Sequence, residues 1–136
     1  MKLSKKGEYA LRALSCLVRR RGEGPVPIKE IAEDEQIPKK FLEQILLELR
    51  KAGLVESTRG AGGGYRLLQD PRAVSLARVV RLMDGPLAPL RCVSRTAPIR
   101  CSREEGCGLR RVMGEVRTAV AGILEEKTLA DIAGSG

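Results

Sequence analysis

The sequence predicts a mainly α-helical protein with one small β-hairpin and a long helix near its C-terminal end. Three observations lead there. Apolar residues recur at helical spacing in several separate windows. Two short β-prone runs flank a glycine-rich turn. A further apolar repeat runs through residues 109–127.

The elements follow in order. Residues 8–20 carry Tyr9, Ala10, Ala13, Leu14, Leu17 and Val18, a single buried face, and Gly22, Gly24 and Pro25 end the helix. A short helix over 27–33 starts at Pro27 and carries Ile28, Ile31 and Ala32. Asp34-Glu35-Gln36-Ile37 reads as a tight turn. A third helix over 38–51 opens at Pro38, turns Phe41, Leu42, Ile45, Leu46 and Leu49 inward, and stops at Ala52-Gly53. Residues 54–58 and 65–67 read as strands around the turn Arg59-Gly60-Ala61-Gly62-Gly63-Gly64. Asp70-Pro71 breaks the chain. Ser75 caps a helix with Leu76, Val79, Val80 and Met83 that ends at Asp84-Gly85. Residues 86–107 have no periodicity and contain Pro86, Pro89 and Pro98, the mark of a functional or disordered loop. The organisation expected is therefore a helix–turn–helix and hairpin domain over 1–85, a cysteine-containing loop over 86–108, and a long helix with a tail over 109–136.

Composition narrows the function. The chain has 136 residues, 25 Lys and Arg against 17 Asp and Glu, a net charge of +8, and no histidine. The missing histidine removes Ser–His–Asp and Cys–His triads, two-His metal sites and histidine pH switches. No acid–base constellation appears, so an enzyme is the least favoured class. The basic excess fits a polyanion partner, with a merely basic soluble protein as the plain alternative. Aromatics are confined to Tyr9, Phe41 and Tyr65, too few for an RNA-stacking platform. The apolar run Ala13–Val18 is too short for a signal peptide or a membrane helix, which predicts a cytoplasmic protein without membrane contact.

Two short helices, a tight turn and a glycine hairpin form the order of a winged helix–turn–helix. The helix over 38–51 would enter the major groove of double-stranded DNA. With its leucines inward, Lys39, Lys40, Glu43, Gln44 and Lys51 point outward. Lys reaches phosphate or guanine, Gln pairs with adenine, and Glu accepts from the cytosine amino group while repelling phosphate. The alternative is an amphipathic helix with a solvated charged face. The segment 59–64 lacks the Gly-Lys-Ser/Thr of a phosphate loop, and a strand rather than a helix follows it. A wing tip fits better than a floppy turn. Gly60, Gly62 and Gly63 would let backbone approach DNA, with Arg59 inserting at the base.

The chain resembles the IscR/NsrR/CymR-type bacterial regulators, the Rrf-two type. The resemblance lies in Met1–Leu11 (MKLSKKGEYAL), Gly24–Ala32, Phe41–Leu46, Leu49–Val55 and, most specifically, Arg59-Gly60-Ala61-Gly62-Gly63-Gly64-Tyr65. It covers essentially the whole chain. It implies a homodimeric winged-helix transcription factor, expected to be a repressor, on a pseudo-palindromic operator. It implies DNA contacts at Glu43, Gln44 and Arg59. The DNA-facing set expected is Ser4, Lys5, Lys6, Lys39, Lys40, Glu43, Gln44, Lys51, Arg59, Gly60, Gly62, Gly63 and Tyr65.

Three cysteines, Cys92, Cys101 and Cys107, fall within 16 residues of the aperiodic loop as C-x8-C-x5-C. Cys16 sits among apolar neighbours and reads as a small buried hydrophobe. Soft thiolates select zinc, copper(I) or iron–sulfur clusters. Structural zinc wants four protein ligands, usually with a CxxC-like pair, and neither is present. An iron–sulfur cluster tolerates one weak ligand, and the family resemblance points the same way. In the IscR branch a histidine three residues after the last cysteine completes the set; here that position is Arg110, which cannot ligate. The resemblance then implies Glu8 of the partner subunit as fourth ligand, and [4Fe–4S] over [2Fe–2S]. Glu8 equally reads as a first-turn acid favouring the helix dipole. A thiol–disulfide sensor, a vestigial loop, and a metal or redox protein binding another protein stay open beside the cluster. The long helix is expected to dimerise through Leu109, Val112, Met113, Val116, Val120, Ile123 and Leu124, against the alternative of packing within one chain.

Overall fold

A computed structural model describes residues 2–95, 98–100 and 105–133. Its elements are α1 (Lys5–Arg19), α2 (Ile28–Glu35), α3 (Lys39–Lys51), β1 (Val55–Thr58), β2 (Gly64–Leu67), α4 (Leu76–Asp84), α5 (Gly108–Glu126) and α6 (Leu129–Ala133), with 3-10 turns at Pro71–Ala73 and Arg91–Val93. Among the described residues, the mainly helical class with one antiparallel hairpin is as the sequence predicts.

Helix α1 is the central member, and α2, α3, α4, α6 and β2 all pack on it. Its buried face is built from small residues and leucines: Gly7, Ala10, Ala13, Leu14, Ser15, Cys16 and Leu17. Leu42, Ile45, Leu46 and Leu49 of α3 close the core from one side, with Ile31, Leu54, Val55 and Val74. Phe41 lies at the edge of this core, where its ring meets Tyr9 edge-on, 5.6 Å between centroids.

Helix α1 starts three residues before the expected 8–20 window because Ser4 caps it. The Ser4 hydroxyl accepts from the Gly7 amide at 3.0 Å, and the Ser4 amide and hydroxyl both donate to Asp84 at the end of α4. Lys5 to Gly7 carry no apolar repeat, so periodicity alone could not register that first turn. Gly7 leaves room for these contacts: a Cβ would lie 2.8 Å from Asp84 Oδ2 and 2.9 Å from Leu3 Cδ1, so both side chains would have to shift.

The turn between α2 and α3 also moves. The helix expected over 27–33 continues to Glu35, since nothing at 33–35 breaks it, and the reversal falls on Gln36 in the left-handed region at φ 54°. The Ile37 amide donates to the Ala32 carbonyl at 3.0 Å and Pro38 then opens α3. Gly53, at φ 78°, ends α3 as predicted.

The hairpin pairs Val55 with Leu67 and Thr58 with Gly64. A third segment joins its edge. Val26 and Tyr65 exchange two backbone hydrogen bonds of 2.8 Å, fixing the chain before α2 against β2. That approach is so close that a Cβ on Gly64 would sit 2.3 Å from the Val26 carbonyl carbon and oxygen.

The C-terminal tail contains a helix that periodicity missed. Five residues are too few for a repeat, but the Asp131 carboxylate reaches back to its start, accepting at Oδ2 from the Thr128 amide at 2.7 Å and hydroxyl at 3.2 Å. These bonds hold the Asp131 carboxyl below its ordinary pKa. Helix α6 then buries Leu129 and Ala133 against α1 and the Pro71–Ala73 turn. The chain just before it is tied to α4: Leu76 donates to the Lys127 carbonyl at 2.9 Å and Leu129 to the Val74 carbonyl at 3.0 Å.

Gly64→Ala should lower stability in urea unfolding by about 2–4 kcal/mol, because the clash is with backbone that cannot step aside. Gly60→Ala, at φ 92° with nothing within 4 Å of the new Cβ, should cost only about 1 kcal/mol. Equal losses would contradict the close-approach account.

Candidate nucleic-acid interface and cysteine loop

The outer face of α3 is Lys39, Lys40, Glu43, Gln44, Leu47, Arg50 and Lys51, all exposed. Arg59 and Gly60 to Gly62 extend it as exposed wing residues. Lys39, Lys40, Lys51 and Arg59 have no ion pair among the described residues, whereas most cations around α1 do. Arg20 bonds Glu30 at 2.7 Å and Glu23 at 3.2 Å, and Arg19 bonds Glu35 at 2.9 Å. Unpaired cations gathered on one helix and hairpin are what a phosphate-binding face needs.

Two further residues belong to this face and escaped the sequence reading. Leu47 is an apolar residue 43% exposed. It stands three to four residues from Glu43 and Gln44, the helical spacing that would have revealed it, and suits contact with a thymine methyl. Arg50 is on the same face, and its Nη1 donates to the Ser57 hydroxyl of β1 at 3.2 Å, linking recognition helix to hairpin.

Other expected DNA residues have intramolecular work. Ser4 caps α1. Lys6 pairs with Glu48 of α3 at 2.8 Å, and Lys5 with Glu8 at 3.3 Å. Gly63 is demanded by the turn itself, since a Cβ would lie 2.2 Å from the Thr58 carbonyl oxygen. Tyr65 is half-buried against the core.

The cysteine loop is less detached than its composition suggests. Leu87, Val93 and Ser94 are buried, and the Arg91–Val93 turn packs on α5. Cys92 in that turn and Cys107 are half-exposed free thiols; Cys101 lies outside the described residues. Cys107 is the N-cap of α5, its sulfur accepting from the Arg110 amide at 3.4 Å. Among the described residues no three His, Cys, Asp or Glu side chains gather as a metal site. Glu8 is engaged by Lys5 and by Arg12, the latter at 3.0 Å. Cys16 stands apart. Burial, then the nearby Glu35 and Asp34 carboxylates, push its thiol up to about 11.

Helix α5 leaves an apolar seam uncovered. Leu109, Val116 and Ile123, seven residues apart, are 58%, 39% and 60% exposed, and Val112 is 41% exposed. Met113 and Val120 are half-buried. Leu124 packs within the chain, with Ala77, Val80, Leu87 and Ala121. Arg81 of α4 and Glu125 of α5 add a 2.7 Å ion pair.

Cys107→Ala should fray the first turn of α5, raising amide exchange at Arg110 by the equivalent of up to about 1 kcal/mol, whereas Cys107→Ser should keep the cap. Cys16 should resist iodoacetamide at pH 8 while Cys92 and Cys107 react. The native state holds the Cys16 proton to about pH 11. The unfolded chain releases it near pH 8.5, so this thiol's contribution to stability should fall as pH rises between those values.

The Rrf2 family, described as iron-dependent transcriptional regulators, matches residues 3–135. An rrf2-like HTH-type transcriptional regulator of Rhodobacter capsulatus is 44% identical over 140 residues, covering 98% of this chain and 93% of the relative. The IscR transcriptional regulator of Serratia proteamaculans is 33% identical, covering 97% and 79%. The structure of CymR, the global cysteine regulator of B. subtilis, superposes with a TM-score of 0.85 at 34% identity, covering 100% of this chain and 98% of that one. None of these relatives is named as an enzyme, and among the described residues no helix is long and apolar enough to cross a membrane. With its winged helix–turn–helix, its unpaired cations on the reading helix and these full-length matches, the chain belongs to the Rrf2 family of transcriptional regulators.

Proposed function

We propose that this chain is a cytoplasmic homodimeric repressor whose hold on a pseudo-palindromic operator is set by an iron–sulfur cluster at Cys92, Cys101 and Cys107. The observation that carries the sensor reading is positional. Both described loop cysteines belong to segments joined to the helix that bears the open apolar seam, one as its N-cap and one in a turn docked on its side. Whatever binds those thiols therefore acts on the element expected to set the spacing of two recognition helices.

The donor chemistry suits a soft metal, and partial exposure of Cys92 and Cys107 leaves them reachable. When bound, a cluster supplies a redox- and nitric-oxide-sensitive centre; [4Fe–4S] is favoured over [2Fe–2S] since Arg110 cannot ligate. Glu8 of the partner subunit is the proposed fourth ligand. Its exposed pairs with Lys5 and Arg12 are worth only about 0–1 kcal/mol each, so ligation need not be prevented by them.

The residues of the reading face divide by role. Lys39, Lys40, Lys51 and Arg59 bind phosphate. Gln44 and Glu43 read base edges, and Leu47 adds an apolar contact. The seam Leu109, Val112, Val116 and Ile123, flanked by Met113 and Val120, packs against its twin, as exposed heptad-spaced apolar residues do. A cluster-free thiol sensor is the second reading, favoured by the same two accessible thiols.

Anaerobically purified protein should show a broad visible band with roughly equal iron and sulfide, lost in Cys92→Ala. A colourless protein after anaerobic reconstitution would leave the thiol sensor. On operator DNA, a dimer making about 6–10 phosphate contacts should lose roughly 10³–10⁵ in affinity between about 50 and 200 mM salt. Lys40→Ala should weaken all sequences and shallow that slope, while Gln44→Ala should relax discrimination by about 1–3 kcal/mol at one base pair.

A further inference from the structure

We propose that Arg117 is a positioning residue for Cys92: its guanidinium fastens the Arg91–Val93 turn to α5 and so fixes where that thiol stands. The inference rests on reading Cys92 as a sensor thiol, and adds the residue that places it.

Arg117 lies on the inner side of α5, half-buried. Its Nη1 donates to the Val93 carbonyl oxygen at 2.8 Å, and its Nη2 to the Thr118 hydroxyl at 2.8 Å. That hydroxyl donates in turn to the Gly114 carbonyl at 3.0 Å. The fork is thus anchored on the helix at one tine and grips the turn with the other. The Arg117 Nε is buried and meets no acceptor among the described residues. Keeping a partly buried cation with an unmade hydrogen bond is costly, and an aliphatic side chain of the same length would avoid that cost. What the aliphatic chain could not supply is the bond to Val93.

The side chain of Val93 completes the docking. It is 5% exposed and lies beside Gly114, one turn before Arg117, where an added Cβ would meet Val93 Cγ1 at an ordinary contact distance of 4.0 Å. Within the turn the Val93 amide donates to the Leu90 carbonyl at 3.2 Å. The residue following Cys92 is therefore held at its amide, its side chain and its carbonyl, and only the last of these bonds reaches α5.

The test compares metal-free and reconstituted full-length protein. In metal-free Arg117→Met, Cys92 should alkylate with iodoacetamide about tenfold faster and the Val93 amide should exchange faster by a similar factor, with Cys107 unchanged. Arg117→Lys, which can make one of the two bonds, should recover part of the protection. After anaerobic reconstitution, the Met variant should lose its visible band sooner in air than wild type. Thr118→Val, which removes only the helix-side anchor, should move Cys92 and Val93 the same way by less, and it decides the matter if Arg117→Met fails to fold. Unchanged Cys92 alkylation and Val93 exchange in the folded variants would overturn the proposal, whether or not a cluster forms. If Cys92 is released but no form of the protein takes up iron, the positioning role stands and the cluster reading falls.

Discussion

The small-residue face of α1 is the constraint on which the rest of the molecule depends. Five elements lie against one helix of fifteen residues, and the face they share is Gly7, Ala10, Ala13, Leu14, Ser15, Cys16 and Leu17. The same face sets the rigid relation between parts that must work together. Helix α3 is held to it through leucines and the Lys6–Glu48 pair, α4 through the Ser4–Asp84 bonds, and α6 through Leu129 and Ala133. A recognition helix reads base edges only if its support does not move, and here that support is shared with the elements leading to α5.

Much of this was legible in the sequence because long elements advertise themselves. The leucine spacing of α3, the Gly53 stop, the Ser75 cap and the glycine turn all name their structures locally. The outward set on α3 followed from the inward one. What stayed hidden was non-local or brief. Nothing in Met1–Gly7 says that Ser4 will meet Asp84, eighty residues away. Helix α6 is too short to show a period, although Thr128 and Asp131 carried its start signal. The glycines of the wing look alike in sequence, yet Gly60 and Gly62 serve backbone conformation while Gly63 and Gly64 serve contact distance. Only coordinates separate the two.

The cysteines divide in the same manner. Cys16 was readable as buried from its apolar neighbours. That Cys107 would terminate a helix, and that Cys92 would sit in a turn pinned by Arg117, were not, because both depend on how an aperiodic segment returns to α5. The consequence is mechanical. The loop is joined to the helix whose apolar seam lies open at two points, the Arg91–Val93 turn docked on its side and Cys107 at its first turn.

The wing bears on how this protein could be re-aimed at new DNA. Of its six turn positions, Gly63 and Gly64 are closed to any side chain by the backbone of Thr58 and Val26. Gly60 and Gly62 are confined by positive φ. That leaves Arg59, given to phosphate, and Ala61 as the one free letter of the hairpin. A combinatorial library seeking altered operators would spend its diversity at Ala61 and along Glu43, Gln44 and Leu47, treating the glycines and the phosphate-binding cations as scaffold.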